Sequence, residues 1–284
     1  MVAALGVRKV AGDVAAPPGR RAANVDDVQL LARGAAGLDL GRGDPGNLAP
    51  LHSPSLTQTS AMRILLTGFD PFGGRGVNPS WEAARQLDGD RVGEGTIAVL
   101  RVPVLWRHSV AAVVAELERE PTAGVVIAGL AYGRDAINVE AIAHAIGDVP
   151  WQADNADRTL AGERSDGDDD GPDALLATAP VRAITAAINA AGIPAVVSWD
   201  GGAYVSNATL YGVLRHARDR GLTLPTTYLH VPAMPEMTTA TRSPSLPLGD
   251  IVQALRIACL VTATHTGPDA PLRRWPSALP PLLG

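Results

Sequence analysis

Three short segments carry the side chains that could do covalent chemistry: Glu140 within GLAYGRDAINVEAIAHAI, Ser206 within SWDGGAYVSNATLYG, and His230 within TYLHVPAMPEM. A hydroxyl, an imidazole and a carboxylate form the set used in nucleophilic acyl transfer. The imidazole takes the hydroxyl proton as the oxygen attacks a carbonyl, and the carboxylate orients the imidazole. Each residue taken singly also fits a plainer role: Glu140 a solvated glutamate of a first helical turn, Ser206 a helix N-cap or small packing residue, His230 a hydrogen-bonded core histidine. Context favours the chemical reading. A strand ending in Gly201 and Gly202, followed by a helix opening around Ser206, would aim that hydroxyl and several unpaired backbone N–H groups at one point, which suits an oxyanion.

Other chemistries find less support. Gly73, Gly74 and Gly76 follow a strand, yet no GxGxxG frame or GK[ST] accompanies them, so a phosphate loop is not expected. DGDDDG at Asp166 to Gly171 imitates the start of a calcium loop but has Ala177 where the closing glutamate belongs, and it reads as a solvated acidic loop. The 6 histidines supply neither HExxH nor an i, i+4 pair, and the single cysteine, Cys259, lies on the apolar face of an expected helix. No metal and no cofactor is implied. The balance of 24 basic against 29 acidic residues gives a net charge of −5 with no basic stripe, which argues against nucleic acid. No apolar run is long enough for a bilayer-spanning helix, and one cysteine in 284 residues fits a reducing compartment, so the cytoplasm is expected.

The elements that must position these groups follow from periodicity. Strands are expected at Ile64 to Thr67, Ile97 to Val102, Gly124 to Ala128, Ala195 to Ser198 and Thr227 to Val231. Helices are expected at Pro79 to Leu87, His108 to Glu120, Val181 to Ala191, Val205 to Arg220 and Gly249 to Ala263. The alternation predicts an α/β fold, a three-layer α/β/α sandwich with a mainly parallel sheet, in one domain over 62–265. Residues 1–61 show no sustained period and read as a disordered or non-native extension, with Met62 a candidate start; 266–284 read as a flexible tail.

In order along the chain, MRILLTGFDPFGGRGVNPS, GLAYGRDAINVEAIA, AGIPAVVSWDGGAYVSNATLYG and TYLHVPAMPE resemble the pyroglutamyl peptidase I (pyrrolidone-carboxylate peptidase) family of cysteine peptidases, from Met62 to about Ala263. The resemblance implies an open α/β/α sandwich, usually a homotetramer, that removes an N-terminal pyroglutamyl residue from peptides without metal or cofactor. It assigns the catalytic glutamate to Glu140, the nucleophile to Ser206 and the base to His230, and makes Phe69 and Phe72 the rings that hold the lactam. In the hydrolase reading Arg134 is expected as an auxiliary at the oxyanion, beside the backbone N–H groups near Ser206. The family has cysteine where this chain has Ser206, and its E-R-x-A-x-N pattern reads here as Glu140, Ala141, Ile142, Ala143, His144, Ala145. A further family arginine falls, by counting, on Pro150.

The serine changes the physics. A thiol at a helix N-terminus beside imidazole ionises readily, its pKa falling from about 8.5 to roughly 3.5–7.5. A hydroxyl must be deprotonated as it attacks, and from a site shaped for a larger atom. Two readings result: a hydrolase attenuated by Ser206, or a catalytically inactive protein that still binds pyroglutamyl-like ligands.

Overall fold

The segments RILLTGF and GVVIAGL are apolar on both faces, the mark of central parallel strands covered by helices on either side. The computed structural model describes residues 62–167, 170–267 and 269; the extension over 1–61 and nearly all of the tail over 266–284 lie outside them. In chain order the elements are β1 (Arg63–Phe69), α1 (Pro79–Ala84), β2 (Arg91–Val92), β3 (Gly95–Val102), α2 (His108–Arg119), β4 (Gly124–Leu130), β5 (Ile137–Glu140) and β6 (Ile142–His144). They continue with β7 (Ile146–Asp148), β8 (Ala161–Arg164), β9 (Ala174–Leu176), α3 (Val181–Ala190), β10 (Ala195–Ser198), α4 (Val205–Asp219), β11 (Thr226–Val231) and α5 (Leu248–Thr264).

Seven strands form one sheet in the order β10-β5-β11-β4-β1-β3-β2. Its pairings are parallel except for β2 with β3 and β5 with β11. Helices α1, α3 and α5 pack together over one face, and α2 and α4 over the other, giving the expected three-layer α/β architecture. Alternate residues of each strand serve the two layers: Leu65, Phe69, Val125, Ile127 and Tyr228 join Leu210, Val213, Leu214 and Ala217 of α4 in one buried cluster. The α4 residues recur at the spacing that puts them on a single helix face.

Local chemistry sets the boundaries. Asn78 caps α1 by accepting from Ser80 N, with Pro79 in the first helical position. Helix α1 ends at Ala84, short of the expected Leu87, because Gln86 N and Leu87 N turn to carbonyls three residues back as the chain tightens toward Gly89 at φ 80. At Gly68 a Cβ would lie 2.6 Å from Trp81 Cα, so α1 can rest on the end of β1 only because that residue is glycine. Strands β2 and β5 to β9 go unannounced by the sequence pattern; they are two to four residues long, too short to show a period. In the acidic loop Gly167 and Asp170 are exposed, as expected, and one residue departs from that reading. Asp166 is half-buried and pairs with Arg164 at 3.3 Å and Arg215 at 2.9 Å rather than facing water. Among the described residues no helix is long and apolar enough to cross a membrane.

Candidate active site

The carboxylate–imidazole pair is a product of register. Because β5 lies antiparallel to β11, Tyr228 stands directly opposite Glu140 and His230 opposite Asn138. His230 is therefore the diagonal neighbour of Glu140 on the same face of the sheet, within reach of a long side chain. His230 Nδ1 and Glu140 Oε1 are 2.7 Å apart, with the two side chains 6% and 1% exposed. A carboxylate can only accept, so the proton sits on Nδ1 and Nε2 is left as the free base. Glu140 thus lies at a buried strand end, not in a solvated helical turn.

Arg134 adds a positive charge on the carboxylate side. Its Nη1 is 3.7 Å from Glu140 Oε1 and 3.5 Å from Ser198 Oγ, and its Nη2 donates to Asp200 O at 3.0 Å. These contacts gather around Glu140 and the turn after β10. The second Glu140 oxygen, Oε2, is buried without a hydrogen-bond partner. It faces Gly201, where a Cβ would sit 3.7 Å away.

Ser206 is the second residue of α4, in the turn whose N–H groups have no partner further back in the helix. The approach to it is sharp: Gly202 has φ 72 and donates to Asp200 Oδ1 at 2.8 Å. No side chain caps this helix, and Tyr204 occupies the cap position. The first-turn amides and the positive end of the helix dipole are consequently available to an anion beside Ser206. The next residue, Asn207, fixes the helix start to the chain just past Glu140, its Nδ2 donating to His144 O at 2.7 Å and its Oδ1 accepting from His144 N at 3.0 Å.

Ser206 lines a narrow cleft of about 20 Å³ with Phe69, Phe72, Asn78, Gly129, Tyr204 and Tyr228 among others. Phe69 stacks tilted on Tyr228 at 6.2 Å and Phe72 on Tyr204 at 5.9 Å between centroids, so the two phenylalanines expected from the sequence share the wall with two tyrosines that were not. The loop carrying Phe72 is held by Asn78 Nδ2 to Asp70 O and by Asn155 Nδ2 to Pro71 O, both at 2.9 Å. Burial pushes the Tyr204 phenol up to about 12, and its hydroxyl donates to Ala153 O at 2.8 Å. Tyr228 is held well above the ordinary range by burial first and by the Glu140 charge second, with the neighbouring Ser206 pulling the other way.

No hydrogen bond joins Ser206 to His230 among the described residues; the imidazole is held on its Nδ1 side by Glu140. Tyr228 was legible in principle: two residues before His230 in a strand, it must share the face of the imidazole. The lone cysteine is elsewhere. Cys259 is fully buried on α5, where burial raises its thiol far above the reactive range.

Fold and site together define a class: open-sheet α/β proteins with a hydroxyl side chain in the first turn of a helix at an aromatic cleft, and an imidazole bound to a buried carboxylate on the sheet. Within it the assignment is specific. The pyroglutamyl peptidase family profile matches residues 62–265, and the chain belongs to that family. A pyrrolidone-carboxylate peptidase of Bacillus licheniformis is 38% identical over 203 residues, covering 72% of this chain and 93% of the relative. The crystal structure of pyroglutamyl peptidase I from Bacillus amyloliquefaciens superposes with a TM-score of 0.70 at 34% identity, over 72% of this chain and 96% of that one. The pyrrolidone carboxyl peptidase from Thermococcus litoralis gives 0.67 at 30% identity, over 71% and 93%.

Proposed function

We propose that this chain hydrolyses the bond after an N-terminal pyroglutamyl residue, through an acyl-enzyme on Ser206. The observation that carries the reading is the 2.7 Å pair of Glu140 and His230 on the sheet face that also bears the aromatic cleft and Ser206. His230 Nε2 takes the Ser206 proton as the oxygen bonds to the pyroglutamyl carbonyl carbon, and the first-turn amides of α4 receive the oxyanion. Collapse breaks the C–N bond, and the proton on Nε2 passes to the leaving amine. Water, deprotonated by the same nitrogen, then releases pyroglutamate and restores the serine. Glu140 holds the imidazole tautomer, Phe69 and Phe72 clasp the lactam, and Arg134 supports Glu140. No metal or cofactor enters these steps.

The test uses the full chain with a chromogenic pyroglutamyl amide, alongside Ser206→Cys and Ser206→Ala. Slow turnover is expected, faster in the cysteine variant and abolished in the alanine variant. Loss of a nucleophile in such a unit costs on the order of 10⁶ in turnover. Equal silence of wild type and alanine variant, with a pyroglutamyl ligand still bound, would establish the second reading, a binding protein without catalysis. That alternative draws on the missing Ser206–His230 hydrogen bond and the unpartnered Glu140 Oε2. The proposal extends to a homo-oligomer, as the family resemblance implies, in the cytoplasm, as the single cysteine suggests; light scattering that finds a monomer would remove the first part, and cell fractionation tests the second.

A further inference from the structure

We propose that Arg75 is a specificity-determining residue of this site, receiving a carboxylate carried by the residue that follows the pyroglutamyl group. The inference rests on the acyl-transfer reading above and extends it to the leaving side of the substrate. It begins with a turn. Phe72, Gly73, Gly74 and Arg75 form a tight turn closed by Arg75 N donating to Phe72 O at 3.3 Å, with φ 61 and 73 at the two glycines. Positive φ at both central positions defines the turn type of tight hairpins, which sets its first and fourth residues side by side. The Arg75 guanidinium accordingly lies over the Phe72 ring, 5.8 Å from its centroid, and over the Tyr132 ring at 4.9 Å. A Cβ on Gly73 would come within 2.8 Å of Arg75 Nη1, so a glycine there leaves room for the guanidinium to fold back.

This guanidinium is held in place without being satisfied. Arg75 is half-buried, yet among the described residues its side chain makes no hydrogen bond and no ion pair. The two rings attract the charge through their faces and take up none of its N–H donors in conventional hydrogen bonds. A planar fork of donors is left open, and its shape matches a carboxylate. Its position ties it to the cleft. Strands β1, β4 and β11 are parallel neighbours, so the segments that follow them meet at one end of the sheet, the end at which open α/β sheets bind ligands. Those segments are the Phe72 to Arg75 turn, Tyr132, and the stretch holding Met237 and Thr241. The Tyr132 hydroxyl fastens the last two, donating to Met237 O at 3.3 Å and lying 2.7 Å from Thr241 Oγ1. Phe72 lines the cleft together with Ser206, which puts Arg75 on the cleft rim, one ring away. A pyroglutamyl group bound in the cleft leaves the rest of the peptide to pass over that rim. The first negative charge beyond the scissile nitrogen is then the α-carboxylate of a dipeptide or the side chain of an acidic second residue.

Two pairs of compounds test this. Pyroglutamyl-alanine is set against pyroglutamyl-alaninamide, and the α-amide of pyroglutamyl-glutamate against that of pyroglutamyl-glutamine. Each is followed by kcat/KM with the full chain and by calorimetric titration into Ser206→Ala, which lacks the attacking oxygen. In at least one pair the acid is expected to be favoured roughly 3- to 10-fold, the margin of a charge-assisted hydrogen bond at a partly hydrated rim. A preference in the first pair assigns the chain terminus, and in the second the side chain. Arg75→Gln should bring that ratio to parity, Arg75→Glu should invert it, and rising salt should shrink it. A variant that merely disturbed the loop would slow acid and amide alike and keep the wild-type ratio. That result, or parity in both pairs with the wild-type chain, overturns the proposal while leaving the hydrolase reading intact. If none of the four compounds is cleaved by wild type or bound by Ser206→Ala, the pyroglutamyl reading itself fails and takes the proposal with it.

Discussion

Gly129→Ala should be among the most damaging one-carbon additions to this protein. The backbone tolerates alanine there, since Gly129 is an ordinary β4 residue without positive φ. The obstacle is the far wall: the new Cβ would sit 1.7 Å from Tyr228 Oη, 2.8 Å from Cζ and 3.4 Å from Phe69 Cδ2. To regain normal contact the tip of the ring must retreat by about 1.5 Å or more. Tyr228 has little room, with Phe69 on one side and the His230 ring on the other. Overpacking of this kind costs about 1–3 kcal/mol. The displaced ring would also carry His230 away from Glu140, and misplacement of a reacting group by about 1 Å lowers turnover on the order of 10²-fold. Urea denaturation gives the first quantity and pyroglutamyl amide hydrolysis the second. A double-mutant cycle with Tyr228→Ala isolates the cause, because there the methyl enters vacated space and its stability penalty should largely vanish. If Gly129→Ala keeps wild-type stability, or its penalty survives undiminished without the tyrosine ring, the steric reasoning is wrong.

Two further perturbations probe the supports of the site. Asn207→Ala strips His144 of partners at both its N–H and its carbonyl and should destabilise by about 2–4 kcal/mol; a change below about 0.5 kcal/mol in urea melts would show that the link between α4 and β6 is incidental. Asp154 is subject to burial, which alone would raise its pKa, but N–H donors from Trp106, Arg158 and Ala156 more than offset this and hold it below the ordinary value. Its stabilisation is therefore present above the usual carboxylate range and lost as pH falls through the lowered value. Asp154→Asn should be less stable than wild type near about pH 7, the gap closing on acidification; a gap that widens in acid would contradict this assignment.

How far the sequence discloses this architecture depends on whether the relevant pattern is local. Strands β1, β4 and β11 declare themselves as apolar runs, and α4 by the spacing of Leu210, Val213, Leu214 and Ala217, because burial on one or both faces leaves a periodic trace. Strand β5 leaves none: INVE is four residues long, and its insertion between β10 and β11, remote neighbours in sequence, is a fact of topology alone. Glu140 consequently looked compatible with a solvated helix although it is buried beside His230. The partners Tyr228, Tyr204 and Asn207 went unnoticed for a related reason. Each acts through a contact across elements, and residue type by itself gives an aromatic in a strand no reason to be anything but packing. Phe69 and Phe72 came from family resemblance, and the cleft does contain both.

The seclusion of Cys259 has a practical corollary. Its sulfur is buried in the layer across the sheet from α4, and it is the sole thiol of the chain. In Ser206→Cys an alkylating fluorophore would therefore find one accessible attachment point, at the mouth of the aromatic cleft, and its emission would report directly on what enters there.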